Sequence, residues 1–301
     1  MKLLYRKLLA IALSFVFLLV FVPSVSAKAA NMQVTAPSAA LLASPESKAA
    51  FAENMEILYN RSLAEGNILP LDQAEVDRLM EEAVYAQGDE LDEIRESLAA
   101  YGVYMYNTPA SDVAVASSDN SDVYMSAPTL YFTAQEYTWT VTCGGNWRND
   151  NWDSTSSVGN IGNKDGFGVG YTNCTGAYNS SVVRSYASIK DQNNSNAKVT
   201  SNRSTGDGSK GFGFELQDSA IAGGSPRLYV GYRWYGSCTY GPSFTSMGGI
   251  ATAYYIHTYS SAEIQSVTFG VTGNETGIQT VITNVAYSFT AYSSDTRIQS
   301  S

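Results

Sequence analysis

From Thr129 to Tyr292 the chain changes character every second residue. In Glu136 to Cys143, Tyr137, Trp139, Val141 and Cys143 take the odd positions, and Thr138, Thr140 and Thr142 the even ones. In Arg227 to Tyr235, Leu228, Val230, Tyr232 and Trp234 share one side. A period of two places alternate side chains on opposite faces of a strand. Strands are expected at 129–134, 136–143, 166–173, 181–189, 211–217, 227–235, 249–259, 263–272 and 279–292. Tyr, Val, Thr, Ile and Phe dominate them, and Asn/Gly/Ser-rich segments separate them. A hairpin turn is expected at Gly273 to Gly277. Parallel strands need long crossovers, usually helical, and no helical period interrupts this series. The expectation is a mainly β protein, with an antiparallel, jelly-roll-like β-sandwich over 129–301.

The glycine-rich stretch Lys164 to Tyr171, KDGFGVGY, belongs to this pattern. A dinucleotide fingerprint needs G-x-G-x-x-G before a helix. Here Gly166, Gly168 and Gly170 alternate, Tyr171 stands where the third fingerprint glycine would fall, and no helical stripe follows. Alternation puts the glycines on one strand face and Phe167, Val169 and Tyr171 on the other. Ser209 to Leu216, SKGFGFEL, repeats the device. A bare glycine face invites close approach by an aromatic ring, a backbone or a ligand.

Upstream the period becomes helical. Residues 45–101 are expected to form short helices. The clearest carries Val76, Leu79, Met80, Ala83 and Val84, with Asp72 and Glu75 as a capping box. A following helix, capped by Asp89, carries Leu91, Ile94 and Leu98, and an earlier one covers about 46–64. Residues 28–125 hold 5 basic and 17 acidic side chains, against 10 and 11 in 126–301. The division is therefore 28–106, an acidic helical region with a solvated face or a propeptide role, 107–128, a linker, and then the β region. Neither half is net positive, which argues against a nucleic-acid partner.

Residues 1–27 have the form of a secretory signal. Lys2, Arg6 and Lys7 precede an apolar run from Leu8 to Val22, then Pro23 and the small-residue site Val25-Ser26-Ala27. The run is too short to span a bilayer, and no later segment is apolar enough. The expected destination is extracellular, without a transmembrane segment after signal removal. There Cys143 and Cys238, which share strand parity, are the preferred disulfide pair, and three buried thiols the alternative.

Chemistry-bearing residues are few. His257 is the single histidine, set among tyrosines, and is read as structural. No Cys/His spacing marks a metal site. A glycoside hydrolase would need two facing carboxyls, for which Glu215 with Glu136 or Glu263 are the candidates. The loop Gly144 to Asp153 has the densest binding chemistry. Trp147 and Trp152 are expected to stack on a sugar ring, and Asn149 and Asp150 to bond its hydroxyls. Asp150, Asn151, Asp153 and Asp165 offer oxygens for a Ca²⁺ ion, and no other cofactor is expected. A secreted module binding glycan or another cell-surface ligand is favoured over an enzyme. A β-sandwich hydrolase and a toxin or assembly-forming protein are the alternatives.

Overall fold

Each alternating segment forms strand where it is described. The computed structural model describes residues 47–107, 122–153, 158–175, 181–206, 210–221, 227–269 and 278–298. The signal segment, most of the expected linker and the turn at 273–277 lie outside these residues. In chain order the strands are β1 (Val103–Met105), β2 (Val123–Thr133), β3 (Thr138–Trp147), β4 (Gly159–Asn160), β5 (Asp165–Thr175), β6 (Val182–Lys190), β7 (Lys198–Thr200) and β8 (Gly211–Leu216). They continue as β9 (Ser219–Ile221), β10 (Leu228–Val230), β11 (Arg233–Tyr240), β12 (Gly248–Thr258), β13 (Glu263–Phe269), β14 (Ile278–Thr283), β15 (Ser288–Tyr292) and β16 (Thr296–Ile298). Every pairing among them is antiparallel.

Two large sheets organise the molecule. One runs β1-β2-β3-β11-β6-β7, and the other β15-β12-β5-β8, with β16 also on β12. Two expected strands are each divided. Gly231, at φ 147°, splits 227–235 so that β10 joins β9 and β4 while β11 enters the six-stranded sheet. Asn284, at φ 49°, splits 279–292 into β14, which pairs with β13, and β15. At these two positions the positive φ turns the chain out of one sheet, and Gly and Asn adopt it most readily.

Alternation then assigns each residue to a core. Leu130, Val141 and Trp234 of the six-stranded sheet share one apolar cluster with Phe167, Val169, Ala251 and Tyr255 of the other. Trp234 stacks on Tyr255 across this contact, with ring centroids 3.9 Å apart. The next residues along the chain, Tyr131 and Tyr235, point into a second cluster on the opposite face.

That second cluster is completed by helices. α1 is Lys48–Ala64, α2 Gln73–Ala83 and α3 Asp89–Ala100. The Asp72 carboxylate accepts from the amides of Ala74 and Glu75, as a cap should. Glu75 does not reach back to the cap; its carboxylate accepts from Arg78 instead. α3 is capped by Gly88 without a side-chain bond, and Asp89 is its first residue rather than its cap. Val76, Leu79 and Met80 of α2 and Leu91, Ile94 and Leu98 of α3 pack with Tyr131 and Tyr235. The Tyr85 hydroxyl lies 2.9 Å from the Trp234 carbonyl and 3.2 Å from that of Gly145. Part of the acidic face is engaged rather than solvated: Asp77 pairs with Arg184 at 2.5 Å and Glu81 with Lys190 at 2.8 Å.

The glycine motif now has its occupant. Gly168 of β5 stands between Tyr254 of β12 and Gly213 of β8. The buried Tyr254 side chain reaches over Gly213, where an added Cβ would collide with its hydroxyl. An internal aromatic therefore fills the space over Gly213, while the Phe212 carbonyl closes on Gly168. Gly213→Ala is expected to cost about 1–3 kcal/mol in urea denaturation, because the ring has to move within a packed core. An unchanged midpoint would contradict the assignment.

Lys48, the first residue of α1, is fully buried. Its ammonium group donates to the Phe244 carbonyl and lies 3.9 Å from the Phe244 ring centroid. Burial lowers its pKa from 10.5 to about 7. Between these values the unfolded chain holds the proton more tightly, so this residue's contribution to stability rises with pH. Lys48→Met removes that dependence. The stability difference between wild type and variant, read from urea curves, should shift in favour of the wild type on going from pH 6.5 to pH 10. A pH-independent difference would contradict the burial argument.

Candidate functional site

The loop after β3 turns its tryptophans inward. Trp147 continues the odd-numbered, core-facing side of β3 and is wholly buried. Its indole N–H donates to the Tyr255 hydroxyl at 3.1 Å. Trp152 is 2% exposed and stacks on Tyr229 with centroids 4.3 Å apart. Neither ring is available as the expected sugar platform, since both faces of the loop's apolar surface are spent on the core.

The polar residues of the same loop take the outside. Asn149 donates to the Asp122 carboxylate at 2.6 Å, and its own side-chain oxygen accepts from the Asn151 amide at 3.0 Å. That local bond closes an Asx turn. The Asp153 amide donates to the Asp150 carbonyl, and the Asp153 carboxylate pairs with Arg227. Asp150 and Asn151 are left exposed at the tip. Here the chain forms a cleft of about 510 Å³ lined by Asp150, Asn151, Asp153, Tyr259, Ser260, Ala286 and Tyr287. Tyr259, just beyond β12, donates from its hydroxyl to the Asn151 carbonyl at 3.0 Å. Its amide donates to the Tyr287 carbonyl, in the 3₁₀ turn Val285–Tyr287 before β15, at 2.6 Å. Three chain segments are thus tied together at one rim. Of the expected ligand contacts, Asp150 lines the cleft, Asn149 shapes its loop, and Trp147 and Trp152 lie beneath.

A buried polar cluster lies under this rim. His257 of β12 places Nδ1 2.9 Å from Asp165 Oδ2 and 3.8 Å from Asp218 Oδ2. Its Nε2 lies 3.2 Å from the Trp152 carbonyl. Asp165, at the start of β5, also accepts from the Thr258 amide at 3.0 Å and the Tyr255 hydroxyl at 2.9 Å. Tyr229 donates to Asp218 at 2.7 Å. Burial, and then the negative charge of Asp165, push the Asp218 carboxyl up to about 9. Burial likewise raises the Tyr229 and Tyr255 phenols well above their ordinary range. His257 is indeed surrounded by aromatic rings, with Trp147 at 5.2 Å and Tyr259 at 4.5 Å. It also bonds to Asp165 and lies 3.8 Å from Asp218, a carboxylate pair that the sequence does not announce. Asp218 sits in the short break between β8 and β9, far from either partner in the chain, and no motif spacing connects them.

The other expected groups stay apart. Glu136 is exposed in the β2–β3 turn, Glu263 is exposed at the start of β13, and Glu215 lies half-buried on β8 opposite Gly166. Among the described residues the carboxyls brought together in the core are Asp165 and Asp218, not these glutamates. The four oxygen-bearing residues considered for Ca²⁺ are divided too, with Asp165 buried beside His257 and Asp153 held by Arg227. The expected disulfide is not formed. Cys143 faces Gly236 and Cys238 faces Val141, so the two thiols share a face as diagonal neighbours and remain free. Diagonal partners stand roughly 7–8 Å apart, beyond the usual span of a disulfide. Burial raises both thiols, that of Cys238 to about 11.

Tyr255 joins the two halves of the cluster, accepting from Trp147 and donating to Asp165. Tyr255→Phe leaves a buried indole N–H without its partner and should cost about 1–3 kcal/mol in urea denaturation. A loss of a few tenths would show that these bonds do not support the site.

Set against protein-family models, curated proteins and solved structures, the chain matches none.

Proposed function

We propose that this is a secreted glycan-binding protein built on a jelly-roll-like β-sandwich, with its binding site in the cleft between the loop after β3 and the turn before β15. The cleft itself carries the reading. Tyr287 is 52% exposed, and Tyr259 stands beside it. A phenol ring can lie against the apolar face of a pyranose, while its hydroxyl remains available for a hydrogen bond. Asp150, Asn151 and Ser260 supply the acceptors and donors that vicinal hydroxyls require. The roles first read into Trp147 and Trp152 pass to the two tyrosines, and the tryptophans hold the loop from below.

Other features agree with this reading. The two large sheets contribute to a common core, as the layers of a sandwich do. The basic start, apolar run and Ala27 site direct the chain out of the cell. The mature chain keeps residues 28–106 on this account, because α2 and α3 cover one face of the six-stranded sheet. The net charge of −10 and the aspartates at the rim disfavour nucleic acid.

A glycan array followed by calorimetry tests the proposal. Tyr287→Ala and Asp150→Asn should each weaken binding about tenfold or more, the effect of losing roughly 1.4 kcal/mol of contact. Val199→Thr, at an exposed position on β7, should not change it. No bound glycan, or equal affinity in all three variants, would overturn the assignment.

A further inference from the structure

The geometry points to a structural metal site in the core: Asp165, Asp218, His257 and Tyr229 bind one divalent transition-metal ion, zinc before others. This goes beyond the glycan reading and does not depend on it.

The first observation is the arrangement of the donor atoms. Asp165 Oδ2 lies 2.9 Å from His257 Nδ1 and 3.3 Å from the Tyr229 hydroxyl oxygen. That oxygen lies 2.7 Å from Asp218 Oδ2 and 3.3 Å from His257 Nδ1, and Asp218 Oδ2 is 3.8 Å from Nδ1. One ligand atom each from Asp165, Asp218 and His257 fall within 4.8 Å of one another. Four donors at about 2.0–2.1 Å from a tetrahedral ion are separated by roughly 3.4 Å, the middle of these spacings.

The second observation concerns the far side of the imidazole. A backbone carbonyl can only accept, so His257 Nε2 carries the hydrogen toward Trp152. Nδ1 is then the nitrogen that faces the two carboxylates, in the position from which an imidazole ligates a metal. A carbonyl fixing the outer nitrogen of a metal-bound histidine is a common supporting arrangement.

The donor set selects the ion. One imidazole nitrogen and three oxygens suit zinc better than Ca²⁺, which takes six to eight oxygens at longer range. All four side chains are at most 2% exposed, which leaves no open position for substrate and makes the role structural. The ion would tie together β5, β10, β12 and the break after β8, and through Trp152 the loop of the cleft.

The test uses tag-free full-length mature protein produced in zinc-supplemented medium, with metal content measured after dialysis. About one zinc per chain is expected, with four-coordinate visible bands when cobalt(II) is substituted. Chelation should lower the melting temperature, and zinc alone should restore it. Asp218→Asn, nearly the same shape, should retain the fold but hold zinc at least tenfold more weakly; refolding both chains with zinc covers slow entry. Absence of metal under both conditions would overturn the proposal. So would equal zinc uptake by Asp218→Asn, or a preference for calcium.

Discussion

The central strands β2, β3 and β11 of the six-stranded sheet are buried on both faces, and that constraint shapes the rest of the molecule. Leu130 and Trp234 point into the core shared with the second sheet, while Tyr131 and Tyr235 point the other way. An antiparallel sheet commonly leaves one face to water. Here the second face carries tyrosines that need cover, and α2 and α3 supply it. The helices bring acidic side chains with them, and Arg184 on β6 and Lys190 at its end meet Asp77 and Glu81. A region that looks like a separable acidic segment in composition thus completes the β core. β1 extends the same logic, adding its three residues to the edge of β2.

The candidate site follows from the other core. The inward tryptophans remove apolar surface from the loop after β3, which leaves its short polar residues to line a cleft with Tyr259 and Tyr287. Underneath, carboxylates, phenols and an imidazole converge where an all-apolar core would be cheaper. Removing ions from water costs several kcal/mol each unless they are well paired, and hydrophobic replacements of such groups often stabilise. The bonds of Asp165 to Thr258, Tyr255 and His257 offset part of that cost. They also hold the start of β5 against the end of β12, directly below the rim.

Much of this was legible in the chain, and the reasons for the exceptions are specific. Period-two alternation located the strands because one face of each is packed. It did not reveal the breaks at Gly231 and Asn284, where a single left-handed residue moves the following strand to another sheet. The glycine pattern was readable as strand, but the occupant over Gly213, Tyr254, belongs to a later strand, β12. The burial of Trp147 was available from parity, since it continues the odd side of Trp139, Val141 and Cys143. Its polar neighbours argued for the surface instead. Trp152 gave no such signal, because an Asx turn rather than a strand sets its direction. The Asp165–Asp218–His257 cluster is a product of topology alone: β5, β12 and the break after β8 must come together before those groups meet.

Native-state hydrogen exchange of the mature chain measures the dependence of the sheet on its helical cover most directly. Exchange free energies separate elements that open together from those that open alone. The account predicts that the amides of α2 and α3 exchange with the same high protection as those of β3 and β11, as one cooperative unit. Helical amides that exchange freely while β11 stays protected would show that the sheet does not need its second face covered, and would contradict the account.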